Sequence, residues 1–404
     1  MVIDKEWLVA TRRAFHRIPE YAFEEVKTSE LIKKHLTEFG LGPIRSLGGT
    51  GVAVDVGTGK GPVLALRADM DALRIKEKET CHNCDYISQH EGMMHACGHD
   101  VHVTTVLGAA RALALDESLR ARLKGTVRFF FQPAEEIGGG AQKMVDDGLL
   151  ENPPIDKLIA LHVSPSLLTG HIGMTRGPAF AACDHFTITI QGIDGHGSQP
   201  HVVRDPIAAG AYLVTQLQTI ISRSINPIDS GVISVCRFEA GKTFNVIPEK
   251  AILEGTVRTL NEETRDHIEG RLRKLVDTLP AIFDLPGATM DYSRDTPTGY
   301  NDPELVDEMK EIGGDLLGKD NVHLMAPSMG AEDFAFYTRD VTGKKREHAP
   351  LSCFIRLGVR NIDQNICWDG KDIIGIHNAR FDVDETALEY GVKLYLSAIE
   401  KFLT

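Results

Sequence analysis

The chain has 404 residues, of which 42% are hydrophobic, and a formal net charge of −13 at pH 7. This length allows two domains with large cores, and the acidic balance excludes nucleic acid and anionic membranes as expected partners, because those bind basic surfaces. The seven cysteines lack the regular spacing of a secreted disulfide framework. The N-terminus has no signal-peptide pattern, and no apolar run reaches the roughly 18 residues of a membrane span. We therefore expect a cytoplasmic protein.

The first part of the chain alternates helical and strand patterns. Apolar residues recur at helical spacing over residues 7–17, 29–39, 103–115 and 141–147. Alternating or continuous short apolar runs, typical of strands, cover residues 51–56, 63–67, 127–132 and 158–163. This order predicts an α/β fold with a doubly wound mixed sheet, in which helices cover both faces.

The pattern changes after residue 183. One alternating strand from residue 184, a helix over 206–222 and strands near 232–238 and 251–259 predict a small α+β domain inserted into the larger one. The polar stretch 291–301 resembles a linker. The first pattern then resumes with a helix over 303–317, a strand over 353–357 and a C-terminal helix that ends near residue 402. We therefore expect domain boundaries at 1–183, 184–293 and 294–404.

Residues 92–102, GMMHACGHDVH, hold the densest group of metal-ligand residue types. Cys97 and His99 are one residue apart in a turn that leads into a helix, so both can reach one ion. A thiolate and an imidazole suit a borderline-soft divalent metal such as Zn, Co, Ni or Mn. For this pair alone, a buried cysteine beside a hydrogen-bonded core histidine is the competing interpretation.

Further ligand-type residues follow the predicted strands. These are Asp69, Asp71, Glu135, Glu136, His162 and His377. In a doubly wound sheet the strand exits meet at one edge, so these groups can converge with Cys97 and His99 on one metal, or on two with a bridging ligand. Of the adjacent glutamates, one could bind metal while the other accepts a proton. Taken alone, Asp69 and Asp71 are more typical of solvated loop acids and His162 of a core histidine, while an acidic helix N-terminus explains Glu135 and Glu136 equally well.

The motifs that contain these residues resemble those of peptidase family M20, and within it subfamily D, the N-acyl-amino-acid amidohydrolases. They are RADMDAL (67–73), MMHACGHDVH (93–102), FQPAEE (131–136), ALHV (160–163), GHGSQPH (195–201), FNVIP (244–248), EGTVRT (254–259), GAEDF (330–334) and HNARFDVDE (377–385). That subfamily includes hippurate, aminobenzoyl-glutamate and auxin-conjugate hydrolases. The resemblance spans nearly the whole chain and implies a metal-dependent catalytic domain with an inserted ferredoxin-like lid or dimerisation domain.

The resemblance also implies a role for each site residue. Cys97, in the place of a bridging aspartate used by other branches, would bind one or two divalent ions together with His99, Glu136, His162 and His377. Glu135 would be the general base, and Asp69 would orient groups beside the metals. His196 would reach a neighbouring subunit's active site to stabilise the oxyanion, while Asn245 and Arg258 would hold the substrate. The implied reaction cleaves a small N-acyl amino acid into a carboxylic acid and an amino acid.

The resemblance implies a homodimer or higher homo-oligomer built through the inserted domain. Three alternatives stay open. The first is a dipeptidase or aminopeptidase activity on small peptides, because the same family also contains such enzymes. A non-catalytic, metal-dependent binding protein on the same scaffold is the second alternative, although every implied catalytic position is present. Finally, Cys81 and Cys84 depart from the family pattern. We interpret them as ordinary surface cysteines rather than as part of a structural zinc ribbon.

Overall fold

The computed structural model of the chain describes residues 3–80 and 82–404. The α-helices within these ranges are α1 (Lys5–His16), α2 (Val26–Glu38), α3 (His99–Leu115), α4 (Glu117–Arg122), α5 (Gly140–Asp146), α6 (Pro206–Ser224), α7 (Glu262–Phe283), α8 (Pro303–Leu317) and α9 (Ala387–Leu403). The strands are β1 (Ile44–Leu47), β2 (Gly51–Gly57), β3 (Val63–Asp69), β4 (Thr126–Gln132), β5 (Lys157–Leu168), β6 (Ile172–Met174), β7 (Gly177–Phe180), β8 (Ala182–Gln191), β9 (Gly195–His196), β10 (Gly231–Ala240), β11 (Val246–Ile247), β12 (Lys250–Thr259), β13 (Gly287–Thr296), β14 (Gly299–Asn301), β15 (Val322–Leu324) and β16 (Leu351–Arg360). None of the described helices combines the length and apolar character needed to cross a bilayer.

The larger sheet has eight strands in the order β1-β2-β4-β3-β5-β16-β6-β15. Its central strands β4, β3, β5 and β16 run parallel to one another, while β2 pairs with β4 in the antiparallel sense. Every residue of β4 is buried, because Phe129 and Phe131 pack beneath α3 and α9 while Phe130 packs on the opposite face beside α5. The predicted α/β fold with a doubly wound mixed sheet is therefore confirmed.

A second, four-stranded antiparallel sheet has the order β10-β12-β8-β13. It has its own hydrophobic cluster, in which Phe186 and Ile188 of β8 pack against Leu213 of α6 and Leu272 of α7. The short strands β9 and β11 form a separate two-stranded pair beside it. The four-stranded sheet and the helices α6 and α7 enclose an apolar layer between them. That layer is distinct from the two cores of the larger sheet.

The prediction that residues 291–301 form a linker was wrong. These residues belong to β13, which ends at Thr296, and to β14. The strand β13 lies at the edge of the second sheet, and most of its side chains are only partly buried. Because an edge strand tolerates polar residues, its sequence looks like a connection between domains.

Two further differences between prediction and structure concern the length of β5 and the helix α7. The sequence pattern placed the end of one strand at residue 163, whereas β5 continues to Leu168, which pairs with Arg360 of β16 beyond an irregularity in the register. The helix α7 was not predicted, because charged residues dominate its first half. Its buried residues Ile268, Leu272, Val276 and Leu279 nevertheless recur at helical spacing, so the signal was present.

Candidate metal centre and active site

The site lies where the parallel strands of the large sheet end. Asp69 is the last residue of β3, and Glu135 and Glu136 come shortly after the end of β4. On β5, Ala160 pairs with Arg67 of β3, so His162 is level with Asp69 two residues further along. The predicted convergence at the sheet edge follows from this parallel arrangement.

Cys97 and His99 are brought together by a left-handed glycine. Gly98 has φ +81°, and a Cβ at this position would lie 2.5 Å from Cγ2 of Val163. Only glycine therefore fits between the ligand loop and β5. The sulfur of Cys97 lies 3.5 Å from Nε2 of His162, which links this turn to the large sheet.

The five sequence-predicted ligands converge. One ligand atom each from Cys97, His99 and Glu136 lie within 4.8 Å of one another. Nε2 of His377 lies 3.4 Å from Oε1 of Glu136, and the Cys97–His162 contact adds the fifth group. A thiol, three imidazoles and a carboxylate thus meet in one place although they are far apart in the sequence.

The position of His377 in the sequence suggested a strand exit, but His377 reaches this cluster from a loop. It lies between β16 and α9 with φ +62°, and its backbone N–H donates to the carbonyl of Ala96 at 2.8 Å. That hydrogen bond ties the C-terminal loop to the Cys97 loop. The side chain is 49% exposed, so His377 forms the open side of the cluster.

Asp71 organises two of the ligands. Nδ1 of His99 lies 2.9 Å from the carbonyl oxygen of Asp71 and 3.2 Å from its Oδ1, while Oδ2 accepts from the backbone N–H of Glu136 at 3.0 Å. Nδ1 of His162 likewise donates to the carbonyl of Val163 at 2.8 Å. These bonds leave the Nε2 atoms of both histidines to face the cluster, which is the usual outer-shell arrangement of metal-binding histidines.

The cluster fits a divalent cation. Nε2 of His99 and Oε1 of Glu136 are buried and have no hydrogen-bond partner among the described residues. Such orphaned polar atoms are costly unless an unseen group satisfies them. A cation bound by the thiolate, imidazoles and carboxylate would supply that partner.

His102 is close to the cluster but is not available as a ligand. Its Nδ1 donates to Oδ1 of Asp69, and its Nε2 accepts from the backbone N–H of Val163 at 2.9 Å. Both ring nitrogens are therefore used. The other oxygen of Asp69 accepts from the guanidinium of Arg67 at 2.6 Å, and it lies 3.7 Å from Nε2 of His99.

Glu135 lies with Glu332 and Asp333 in a group of carboxylates whose oxygens are within 4.8 Å of one another. Burial raises the pKa of Glu135 well above its usual range, and the neighbouring charges of Glu332 and Asp333 raise it further. The guanidinium of Arg67 balances the group, since it donates to Glu332 at 2.9 Å and to Asp333 at 3.3 Å. Glu135 itself lies 4.0 Å from Nε2 of His99, beside the five ligands.

Several ligands hold protons when no cation is present. Hydrogen bonds with Cys97 and Glu136 raise the pKa of His377 to about 10. Burial raises the pKa of the Cys97 thiol. Burial also opposes the charge of His99, but the Asp69 carboxylate and the hydrogen bond to Asp71 raise its pKa well above the ordinary value. A bound cation would have to displace these protons.

The remaining predicted residues are Arg258, His196 and Asn245. The first reaches the site and the other two do not. Arg258 of β12 lines a cavity of about 370 Å³ together with Glu135 and Glu136. His196 and Asn245 are exposed on the β9–β11 pair, where Nδ1 of His196 accepts from the backbone N–H of Ser198 at 3.1 Å. Neither of these two contacts the five ligands in the described part of the chain.

Sequence reasoning noticed Asp71 and counted His102 in the ligand-rich stretch but gave neither a role, and it did not single out Arg67. A signal existed for each. Asp71 belongs to the same D-x-D as Asp69, and His102 follows His99 by one helical turn. Arg67 is a charged residue in an otherwise apolar buried strand, which itself indicates a buried ion pair.

The second cysteine pair remains outside the site. Cys84 is exposed with a free thiol, and Cys81 lies outside the described residues. No metal-binding group found among the described residues includes Cys84.

Comparison with known proteins gives a consistent picture. Residues 65–401 match the family described as Peptidase family M20/M25/M40. The chain is 37% identical over 402 residues to "IAA-amino acid hydrolase ILR1-like 4" of Arabidopsis thaliana, covering 98% of this chain and 86% of that relative. It is 38% identical over 382 residues to "N-acetyl-L-cysteine deacetylase" of Bacillus subtilis (strain 168), covering 94% and 84%.

A solved structure agrees. The Bacillus subtilis YXEP protein, described as a dinuclear metal binding peptidase from the M20 family, superposes with a TM-score of 0.80 at 33% identity and covers 98% of each chain. Fold, ligand cluster and relatives lead to one assignment. The chain belongs to peptidase family M20, and it is a metal-binding hydrolase that acts on carbon–nitrogen bonds.

Proposed function

We propose that this hydrolase cleaves the amide bond of small N-acyl amino acids and releases a carboxylic acid and a free amino acid. The observation that carries the proposal is the convergence of five ligand-type groups with Glu135 at the mouth of a cavity that Arg258 also lines. The names of the relatives, a hydrolase of amino-acid conjugates and a deacetylase of N-acetyl-L-cysteine, support the same substrate class.

The metal would be held by Cys97, His99, Glu136, His162 and His377, as one or two ions of Zn, Mn, Co or Ni. When bound, such an ion lowers the pKa of water and polarises an amide carbonyl. The Cys97 sulfur lies 3.5 Å from Nε2 of His162 and within 4.8 Å of ligand atoms of His99 and Glu136, so its thiolate would hold the metal together with all three residues.

Glu135 would accept the proton of the attacking water and deliver it to the amide nitrogen as the bond breaks. Its support is its place beside the ligands and its raised pKa, which suits a group that must both take and give a proton near neutral pH. Asp69 would act as a positioning residue, because it keeps His102 in the orientation in which that ring holds the backbone of Val163, next to His162.

The substrate would be held by residues of the second sheet and of the β9–β11 pair. Arg258 offers a planar pair of donors that suits the α-carboxylate of the amino acid. His196 and Asn245 would serve the active site of a neighbouring subunit, His196 by stabilising the oxyanion, and their exposure on the β9–β11 pair supports this.

This arrangement requires an assembly of at least two chains. We propose that residues 184–293 act as an inserted lid and dimerisation domain between the two parts of the catalytic domain, 1–183 and 294–404, and that the enzyme is a homodimer or a higher homo-oligomer. We also propose a cytoplasmic location. The free thiols of Cys84, Cys97, Cys183, Cys236, Cys353 and Cys367 support a reducing compartment.

A turnover screen tests the proposal. Metal-stripped protein, resupplied with Zn, Mn, Co or Ni in turn, is assayed on N-acetyl, N-benzoyl and N-succinyl amino acids and on dipeptides with free N-termini. We expect hydrolysis of acylated amino acids with at least one of the metals. Cleavage of the free dipeptides alone would indicate a peptidase, and binding without turnover of any compound would indicate a binding protein.

A further inference from the structure

We propose that Arg356 and the cavity around it form a subsite for an anionic acyl group. The preferred substrates would then be amino acids N-acylated by a short dicarboxylic acid, with succinyl as the best-fitting example. This inference rests on the proposed function, because it assigns the acyl half of the same substrate.

Arg356 is a partly buried cation without an ion-pair partner among residues 3–80 and 82–404. It lies in β16 directly beside His162 of β5, and paired residues of parallel strands point to the same face, so both side chains lie on the same side of the sheet. In these described ranges its guanidinium makes no hydrogen bond and has no carboxylate within 4 Å. Burial lowers the pKa of Arg356, and the charges of Glu332 and Cys97 act on it only from a distance.

The fully buried arginines of the chain behave differently. Arg12, Arg67, Arg128 and Arg265 each donate to at least one carboxylate, as expected for buried charges. The guanidinium carbon of Arg356 instead lies over two aromatic rings, 5.1 Å from the ring centre of Phe180 and 5.9 Å from that of Phe354. Contacts with ring faces use none of its N–H donors.

Arg356 lines a small polar cavity. This cavity has a volume of about 160 Å³, and it is also lined by hydroxyl groups. They belong to Ser164, Ser166, Thr175 and Ser328. At roughly 30 Å³ per water molecule, such a space holds about five waters, which equals the number of heavy atoms in a –CH₂–CH₂–COO⁻ tail. An arginine with neighbouring hydroxyls is the chemistry that recognises a carboxylate.

The position of the cavity decides which half of the substrate enters it. Glu135 must protonate the leaving nitrogen, and it lines the larger cavity together with Arg258, so the amino-acid half belongs there. The loop 328–333 separates the two cavities, since Ser328 lines the smaller one while Glu332 lines the larger. The acyl half therefore extends past His162 toward Arg356.

The test compares two acyl groups of equal shape. The metal-loaded wild type and the Arg356→Gln variant are assayed on an N-succinyl amino acid and on its N-succinamoyl analogue, in which an amide replaces the terminal carboxylate. We expect the wild type to prefer the succinyl compound by about 10- to 100-fold in kcat/KM, and the variant to lose this preference while it retains turnover of the amide. Arg176→Gln is the matched control, because Arg176 follows the cavity residue Thr175 but pairs with Asp307 and is not among the residues that line the cavity.

The other outcomes distinguish a failure of the acyl subsite from a failure of the proposed function. Equal losses on both compounds in Arg356→Gln would mean that Arg356 serves the fold or the α-carboxylate, and they would overturn the subsite. No succinyl preference in the wild type would also overturn it while leaving the amidohydrolase intact. Failure of the wild type to hydrolyse any N-acyl amino acid would instead refute the proposed function.

Discussion

The edge of the large sheet and the β9–β11 pair differ in how firmly the rest of the chain holds their polar side chains. At the sheet edge, His99 and His162 each have one ring nitrogen held by the backbone, and Asp71 joins two ligands. On the β9–β11 pair, His196 and Asn245 are exposed. The first region is preorganised by its own subunit, whereas the second is exposed, and its two side chains bond only to neighbouring residues of their own loops in the described part of the chain.

This difference suggests a division of work. Metal binding and proton transfer would depend on one subunit alone, while transition-state stabilisation would need a second. Variants in the two regions should therefore fail in different ways, and mixtures of them should reveal it.

The largest effect is expected for Glu135→Gln. Loss of the general base should lower kcat by about 10²- to 10⁴-fold, and bound metal should be unchanged because Glu135 is not one of the five ligands. Steady-state kinetics and metal analysis measure both quantities. Glu311→Gln, an exposed glutamate of α8, is the control. Full activity of Glu135→Gln would remove this residue from the mechanism.

His196→Ala should lower kcat by about 10²- to 10³-fold with metal content unchanged, since it removes one oxyanion donor. The sharper experiment mixes this variant with Glu135→Gln and lets the subunits exchange. A mixed dimer would contain one site with both residues intact, so activity should return. If the mixture stays inactive although subunits exchange, His196 does not act across subunits.

Metal affinity should depend steeply on pH. Cys97, His99 and His377 hold protons at pH 7 in the metal-free protein because their pKa values are raised, the last to about 10. Binding must release about two to three protons, so the apparent affinity should fall by about 100-fold or more for each unit by which the pH drops. Calorimetry in buffers of different ionisation enthalpy counts the protons. Release of none would show that the cation binds elsewhere.

A smaller effect is expected for Asp71→Asn. The variant weakens the hydrogen bonds that hold His99 and the Glu136 loop, and we expect metal affinity to fall by about 10- to 100-fold. Competition with a chelator measures it, and Asp363→Asn on an exposed loop serves as the control. Unchanged affinity would mean that the backbone alone positions the ligands.

The sequence predicted much of the site because parallel strands deliver their ends to one edge. Asp69, Glu135 and Glu136 follow buried strands, and Cys97 and His99 precede a helix that packs on the same sheet, so their convergence could be expected. His377 was expected at a strand exit for the same reason, and that position was wrong. It lies in a loop with φ +62°, so the motif resemblance was the sounder indication of its role.

Other features depend on pairing that a sequence does not display. The polar edge strand β13 looked like a linker, because the pattern of one strand does not reveal which neighbour covers it. Arg356 occupies an ordinary position in a buried strand, and only the structure distinguishes it from Arg67, whose carboxylate partners lie up to 266 residues away in the sequence.

The central claim is that five residues bind a divalent cation, and anomalous scattering at the metal absorption edge tests it most directly. A crystal of the metal-loaded enzyme should give one or two peaks about 2.0–2.3 Å from the sulfur of Cys97, Nε2 of His99, His162 and His377 and a carboxylate oxygen of Glu136. A stoichiometric peak bound elsewhere, with these five side chains left without a cation, would contradict the account.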